Sequence, residues 1–197
     1  MEMDDQQLIA DYISGDDAAF SILVKRHMQS IYNFSMRIAG NPQNAEDITQ
    51  ETFLKVWRNI KKYRPEQSFR SWIFTIAHNT AIDFLRKKKQ LVFSDFENEE
   101  GNNMLEDTLQ DPALLPDELA ARAQDQQLLA GLVAQLSPIY QEVLLLYYNE
   151  QLTFDEIGRI LGKPLDTVKS QHRRALLALR KLLESAPKYY MRPYKYI

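Results

Sequence analysis

Two stretches of this 197-residue chain carry side chains suited to gripping a polyanion. The first is TFDEIGRILGKPLDTVKSQHRRA, residues 153–175. It reads as two short helices around a tight turn: Thr153 and Glu156 form a capping box, and Gly162 with Pro164 stops the first helix. The second helix is expected from about Asp166 to Leu183. At about 100° per residue, Val168, His172, Ala175, Leu179, Leu182 and Leu183 share one side, facing Ile157, Ile160 and Leu161. Asp166, Ser170, Arg173, Arg174 and Lys181 lie opposite, with Thr167 and Lys169 on the flanks. Guanidiniums bind guanine edges or phosphates, while Lys, Ser and Thr mostly hold phosphates. A helical hairpin with a merely solvated face would share the periodicity, but not the cap, turn and donors together. His172 falls on the apolar side, where a packed imidazole is expected rather than a base reader.

The second stretch is KKYRPEQSFRSWIFTIAHNTAIDFLRKKK, residues 61–89. Basic residues alternate with Tyr63, Phe69, Trp72 and Phe74 around a loop containing Pro65. Aromatic faces stack unpaired bases while lysines and arginines hold the backbone, a combination that suits melted DNA. Trp72 and Phe74 would serve a core equally well. In the helix that follows, Ile73, Ile76, Ala77, Thr80 and Phe84 share the inner side, leaving Asn79 and Arg86 available. Lys87 falls near the inner side but at the helix end, where its long stem reaches out.

Just upstream, AEDITQETFLKVWRNIKK, residues 45–62, has Ile48, Thr52, Phe53, Val56 and Ile60 on one side. Asp47, Gln50, Glu51, Leu54 and Arg58 are on the other. A leucine beside two carboxylates on an outer face fits a docking patch for a basic protein surface, apolar at its centre and charged at its rim. An ordinary wet face with one stray leucine is the alternative.

These segments need helices to position them, and composition favours helices. Gly is scarce at 6 residues, Pro stands at 8, and 45% of the residues are hydrophobic. There is no cysteine, hence no disulfide frame or thiolate metal site; the three histidines share no ligand spacing, and no metal or cofactor is expected. No apolar run reaches the ~20 residues that span a bilayer, and the acidic start lacks a secretory pattern, so a soluble, cytoplasmic chain is expected. The net charge of −3 conceals a partition: −5 over residues 1–50, +7 over 51–90, −9 over 91–127 and +4 over 128–197. Two basic segments separated by an acidic one imply two contacts with a polyanion. Helices are expected at residues 18–39, ending at Gly40, from Asn41-Pro42 to about Lys62, and at 68–89. Residues 92–116 are acidic, lack a period and read as a solvated linker. Helical periodicity returns after Pro116, with Ser137-Pro138 opening a buried helix. The fold class is all-α: two small helical domains joined by a flexible acidic linker, the second containing the helix-turn-helix. The expected boundaries are 1–90, 91–127 and 128–185, with a basic aromatic tail at 186–197.

DITQETF (47–53), WIFTIAHNTAIDFLRKKK (72–89) and the run LSPIYQEV to LRKLL (136–183) resemble regions two and four of bacterial sigma factors of the short, extracytoplasmic-function group. The helix-turn-helix alone is weakly specific; its order after the other two motifs, in a chain this short, is highly specific. The resemblance implies a non-catalytic specificity subunit that binds core RNA polymerase and directs promoter-specific initiation. Asp47, Gln50, Glu51 and Phe53, with Leu54 and Trp57 adjacent, would dock on the clamp coiled coil of the polymerase largest subunit, and the second domain would reach the flap. Lys61, Tyr63, Arg64, Ser68, Phe69, Asn79, Arg86 and Lys87 would recognise and melt the minus-ten element. Thr167, Lys169, Ser170, Arg173 and Arg174 would read the minus-thirty-five element as duplex. It implies an anti-sigma factor as a further partner, no membrane insertion and no small-molecule substrate. Asp166 stands where the family often has Gly and is expected to serve as N-cap; His172 stands where Leu or Ile is usual.

Two other classes fit parts of the chain. A one-component repressor would use residues 1–90 as a sensor, but the second nucleic-acid surface opposes it. A helical hydrolase would use Asp47 and Glu51, one turn apart, yet no histidine or third acid stands at a matching spacing.

Overall fold

A computed structural model of the chain describes residues 3–95 and 129–185, and every regular element among them is helical. The linker expected at 91–127, beyond residue 95, and the tail at 186–197 lie outside the described residues.

Local chemistry sets most helix starts. In α1 (Asp5–Ile13) the Asp4 carboxylate accepts the Gln7 N–H at 2.7 Å. Asp16 caps α2 (Asp17–Ala39), which Gly40 closes in the left-handed conformation at φ 73°. Asn41 then accepts the Asn44 N–H, Pro42 occupies the first turn, and α3 runs Pro42–Asn59. A short 3-10 turn, Ile60–Lys62, leads to the loop before α4 (Phe69–Asp95). Ser68 caps α4, its hydroxyl accepting the Ser71 N–H at 3.3 Å. The helix continues past the end expected near Lys89, into the segment read as linker.

In the second half, residues 129–134 form α5, followed by α6 (Pro138–Leu144). The single buried helix expected here is broken: a π-helical turn covers Leu145–Asn149, and Gln151 has φ 54°. The capping box of α7 (Phe154–Leu161) is formed, with Glu156 Oε2 accepting the Thr153 N–H at 2.8 Å and Thr153 Oγ1 accepting the Glu156 N–H at 3.3 Å. Gly162, φ 62°, ends it. Gly158 is needed for closeness: a Cβ there would stand 2.8 Å from the Lys163 carbonyl oxygen. The second helix of this pair, α8, is Leu165–Ser185.

The core begins between α1, α2, α3 and α4, where Leu8, Leu23, Ile31, Phe34, Ile73 and Phe74 are buried and Phe34 meets Phe74 edge-to-face at 5.2 Å. It continues without a break into the second half through Val143, Leu146, Ile157, Ile160 and Val168. α4 packs on α7 and α2 on α6. A smaller cluster of Leu136, Leu144 and Ala175 seats the far part of α8 with Tyr140, Leu179 and Leu182.

Candidate nucleic-acid and protein interfaces

The outer face of α3 is half apolar. Asp47 and Gln50 are exposed, and Glu51 is half-buried with Lys55 4.0 Å away. Leu54 is 45% exposed and Trp57 52%, both large for apolar side chains on a helix that buries Ile48, Thr52 and Val56. They form one wall of an open groove completed by Phe20 and Met28 of α2. Phe53 lies at the floor, 9% exposed, and belongs to the core as much as to the groove. Phe20 and Met28, two turns apart on α2, are groove residues that the sequence reading did not single out. A contiguous exposed apolar patch of this kind is the usual mark of a protein contact.

The loop before α4 corrects one expectation. Phe69 is 3% exposed and Tyr63 9%, and Phe74 is fully buried, so none offers a face to a base. Tyr63, Phe69 and Trp72 instead pack as a triangle with ring centroids 5.4–5.7 Å apart, and Phe69 also meets His27. The Tyr63 hydroxyl donates to the Gln67 carbonyl at 2.6 Å, and burial pushes its pKa up. The physical reason is economy of apolar area: one ring from the loop and two from the first turn of α4 gain more by sealing the core than by facing solvent. Ser68 is likewise committed as a helix cap, though it stays exposed. Lys61, Arg64, Asn79, Arg86 and Lys87 are exposed and available. Arg86 pairs with Asp83 at 3.0 Å, an exposed contact that a phosphate can replace at little cost.

A network not anticipated from the sequence ties α1 to this region. Asp5 accepts from Arg26 Nη1 at 2.6 Å, and its second oxygen lies 2.8 Å from His27 Nε2. Burial alone would raise the Asp5 carboxyl; His27 and Arg26 outweigh it and hold the pKa below its usual value.

On α8, Lys169, Arg173 and Arg174 are exposed, while Thr167 and Ser170 are half-buried and Ser170 Oγ donates to the Thr167 carbonyl at 2.9 Å. Asp166 is not the cap: the helix starts at Leu165, with Pro164 accepting from Val168, and Asp166 sits in the first turn, where it favours the helix dipole. Under the helix, His172 lies 4.7, 5.6 and 5.0 Å from the rings of Tyr147, Tyr148 and Phe154. Its Nε2 is buried without a partner, and burial lowers its pKa. It is a packed wedge beneath α8, its burial favouring the neutral ring.

The structure thus gathers one set of positions on α3, a second on α4 and its loop, and a third on α8. Among the described residues no group of three His, Asp or Glu is placed to hold a metal, and no helix is long and apolar enough to cross a membrane.

Comparison with known proteins matches these faces to a family. Sigma-70 region 2 covers residues 23–90, and sigma-70 region 4 covers residues 132–181. The ECF RNA polymerase sigma factor SigW of Bacillus subtilis is 34% identical over 93% of this chain and 98% of its own. The RNA polymerase sigma-H factor of Pseudomonas aeruginosa is 30% identical over 91% of this chain and 94% of its own. Two solved structures share the fold. CnrH, in complex with the cytosolic domain of CnrY, has a TM-score of 0.61 at 23% identity, covering 93% of this chain and 99% of that one. RpoE of Bartonella quintana, in complex with the anti-sigma factor NepR, has a TM-score of 0.63 at 21% identity, covering 85% and 98%. With both regions matched in order and a relative 34% identical over 93% of its length, the chain belongs to the ECF RNA polymerase sigma factors.

Proposed function

We propose that this sigma factor directs initiation by applying binding energy at two places on promoter DNA while holding core polymerase at a third, with no catalysis of its own. The observation that carries this reading is the separation of three chemically distinct exposed faces on one fold. The Leu54–Trp57 groove, apolar with Asp47 and Gln50 at its rim, suits the clamp coiled coil of the polymerase largest subunit. Arg173, Arg174 and Lys169 on α8 suit the minus-thirty-five duplex, with the same domain reaching the flap.

Melting at the minus-ten element would cost a few kcal/mol per flipped base. Asn79, Arg86, Lys61, Arg64 and Lys87 supply donors and charge for capturing the opened strand. With Tyr63 and Phe69 buried, the work of capture falls on hydrogen bonds and phosphate contacts more than on stacking. An anti-sigma factor is a further partner, in keeping with the NepR complex of the Bartonella protein. The site of action is the cytoplasm, where the polymerase is.

The test is transcription in vitro with purified core enzyme on a library of promoter sequences. Enrichment of one minus-ten and minus-thirty-five pair is the expected result. Failure of core enzyme to bind this chain would end the proposal.

A further inference from the structure

Residues 63–68 carry Arg64 from the 3-10 turn to α4, and most of what holds them is local. The Tyr63 N–H donates to the Ile60 carbonyl at 3.1 Å, the Gln67 N–H to the Arg64 carbonyl at 3.2 Å, and the Tyr63 hydroxyl to the Gln67 carbonyl. Among the described residues one hydrogen bond reaches this loop from elsewhere in the chain. Gln6 Nε2, in the first turn of α1, donates to the Pro65 carbonyl at 3.1 Å across 59 residues. A proline ring fixes its own φ and restricts the residue before it, here Arg64. The ψ of Pro65 is what stays free, and a donor on its carbonyl removes that freedom. The turn that carries Gln6 is itself tied down. Asp5 is held by Arg26 and His27 of α2, Arg26 Nη2 donates to the Met3 carbonyl at 2.7 Å, and Leu8 and Ile9 are buried one turn on. His27 is buried in its turn against Phe69, ring centroids 5.3 Å apart, where the loop passes into α4. So α1 holds the loop at two points: Pro65 directly, and Phe69 through His27.

We propose that α1 is a strap for the minus-ten loop, with Gln6 and Asp5 as positioning residues that order residues 63–68 before DNA arrives. The inference deepens the promoter reading above and rests on it. A loop whose dihedrals are already set gives up less conformational entropy on binding. Arg64, exposed beside the anchored proline, then meets the opened strand in place rather than paying to be ordered by it. Gln6 and Asp5 act through the loop and touch no nucleotide themselves.

The test compares the full-length chain with Gln6→Met, which keeps the side-chain length, adds no charge and removes the donor at an exposed position. Amide hydrogen exchange in the free chain should quicken about fivefold across residues 63–68, the change one neutral hydrogen bond supports, and stay as it was in α8. With core polymerase bound, affinity for a single strand carrying the minus-ten sequence of the promoter enriched from the library should fall about fivefold. Affinity for a duplex carrying only the minus-thirty-five element should not change, which a general loss of fold could not spare. Asp5→Asn, which weakens the hold of Arg26 and His27, should move the loop exchange and the single-strand affinity in the same direction. Loop exchange equal to the parent's in either variant overturns the strap. So does an unchanged affinity for the single strand, or an equal loss on single strand and duplex. If exchange quickens as stated but the parent with core polymerase enriches no promoter, α1 still orders the loop and the promoter reading fails.

Discussion

The outer faces of α3 and α8 are both exposed, yet they are built from opposite materials. On α3 the exposed centre is Leu54 and Trp57, with acids at the edge. On α8 it is Arg173, Arg174 and Lys169, with Val168 and Ala175 turned inward and Leu176 and Leu177 exposed farther along the helix. An apolar centre with a charged rim gains affinity by excluding water, and so suits another protein. A row of cations over a dry base gains by releasing counterions, and so suits a nucleic acid. The loop between α3 and α4 fits neither description, because its rings are spent on the core and only its charges face outward.

The largest effect expected from breaking this pattern is at that loop. Phe69→Ala should destabilise the chain by about 3–5 kcal/mol, as for a fully packed ring, measured by thermal or urea unfolding. Unchanged stability with lost promoter opening would return Phe69 to the role of a stacking residue. Next, Leu54→Asp should weaken core-polymerase binding by more than about 2 kcal/mol in a pull-down or titration while leaving helicity intact. Equal affinity would remove the docking patch from α3.

His78 of α4 and Glu142 of α6, with Nε2 and Oε1 3.7 Å apart, make a prediction of sign. Burial pushes Glu142 up from its ordinary 4.5 to about 7, against the pull of Lys163, while burial lowers His78, with Asn79 opposing and Lys163 assisting. Folding therefore favours a proton on Glu142 below about 7 and disfavours one on His78 below its ordinary 6.5. The two effects oppose each other, so His78 offsets part of the pH dependence that Glu142 imposes. His78→Gln deletes the compensating group. In that variant the Glu142 contribution to stability should be full below pH 4.5 and lost, by about 3 kcal/mol, as pH rises to 7, measured by urea unfolding across that range. A flat profile in His78→Gln would show that Glu142 is not desolvated by folding. Smallest, Arg173→Ala or Arg174→Ala should cost about 1–3 kcal/mol in promoter use if the residue reads a base, and less if it holds a phosphate.

The sequence disclosed what is local. Asn41-Pro42, the Thr153–Glu156 box and Gly162 each act through neighbours three or four residues away, and each stands where the spacing placed it. The exposed donors of α8 followed from periodicity for the same reason. What depends on contacts far apart in the chain was not legible. Arg70 donates to the Glu150 carbonyl at 3.2 Å from 80 residues away, and no periodicity links them. Likewise Asp5 reaches Arg26 and His27 only because α1 folds back on α2. The π-helical turn at Leu145–Asn149 hides inside an unbroken apolar run whose pattern is that of any helix. Tyr63 and Phe69 were misplaced because ring content alone does not say which way a loop turns.

The absent side chain at Gly158 has a consequence for how promoter preference could drift. The Lys163 N–H donates to the Gly158 carbonyl at 2.8 Å, and the Lys163 carbonyl fills the space a methyl group would need. Any larger residue would act as a shim beneath the turn, tilting a rod about 31 Å long from its near end. A displacement of tenths of an ångström there grows along the lever toward Arg173 and Arg174. If Arg173 and Arg174 read the duplex, as proposed, a change beneath the turn retunes them without replacing either residue.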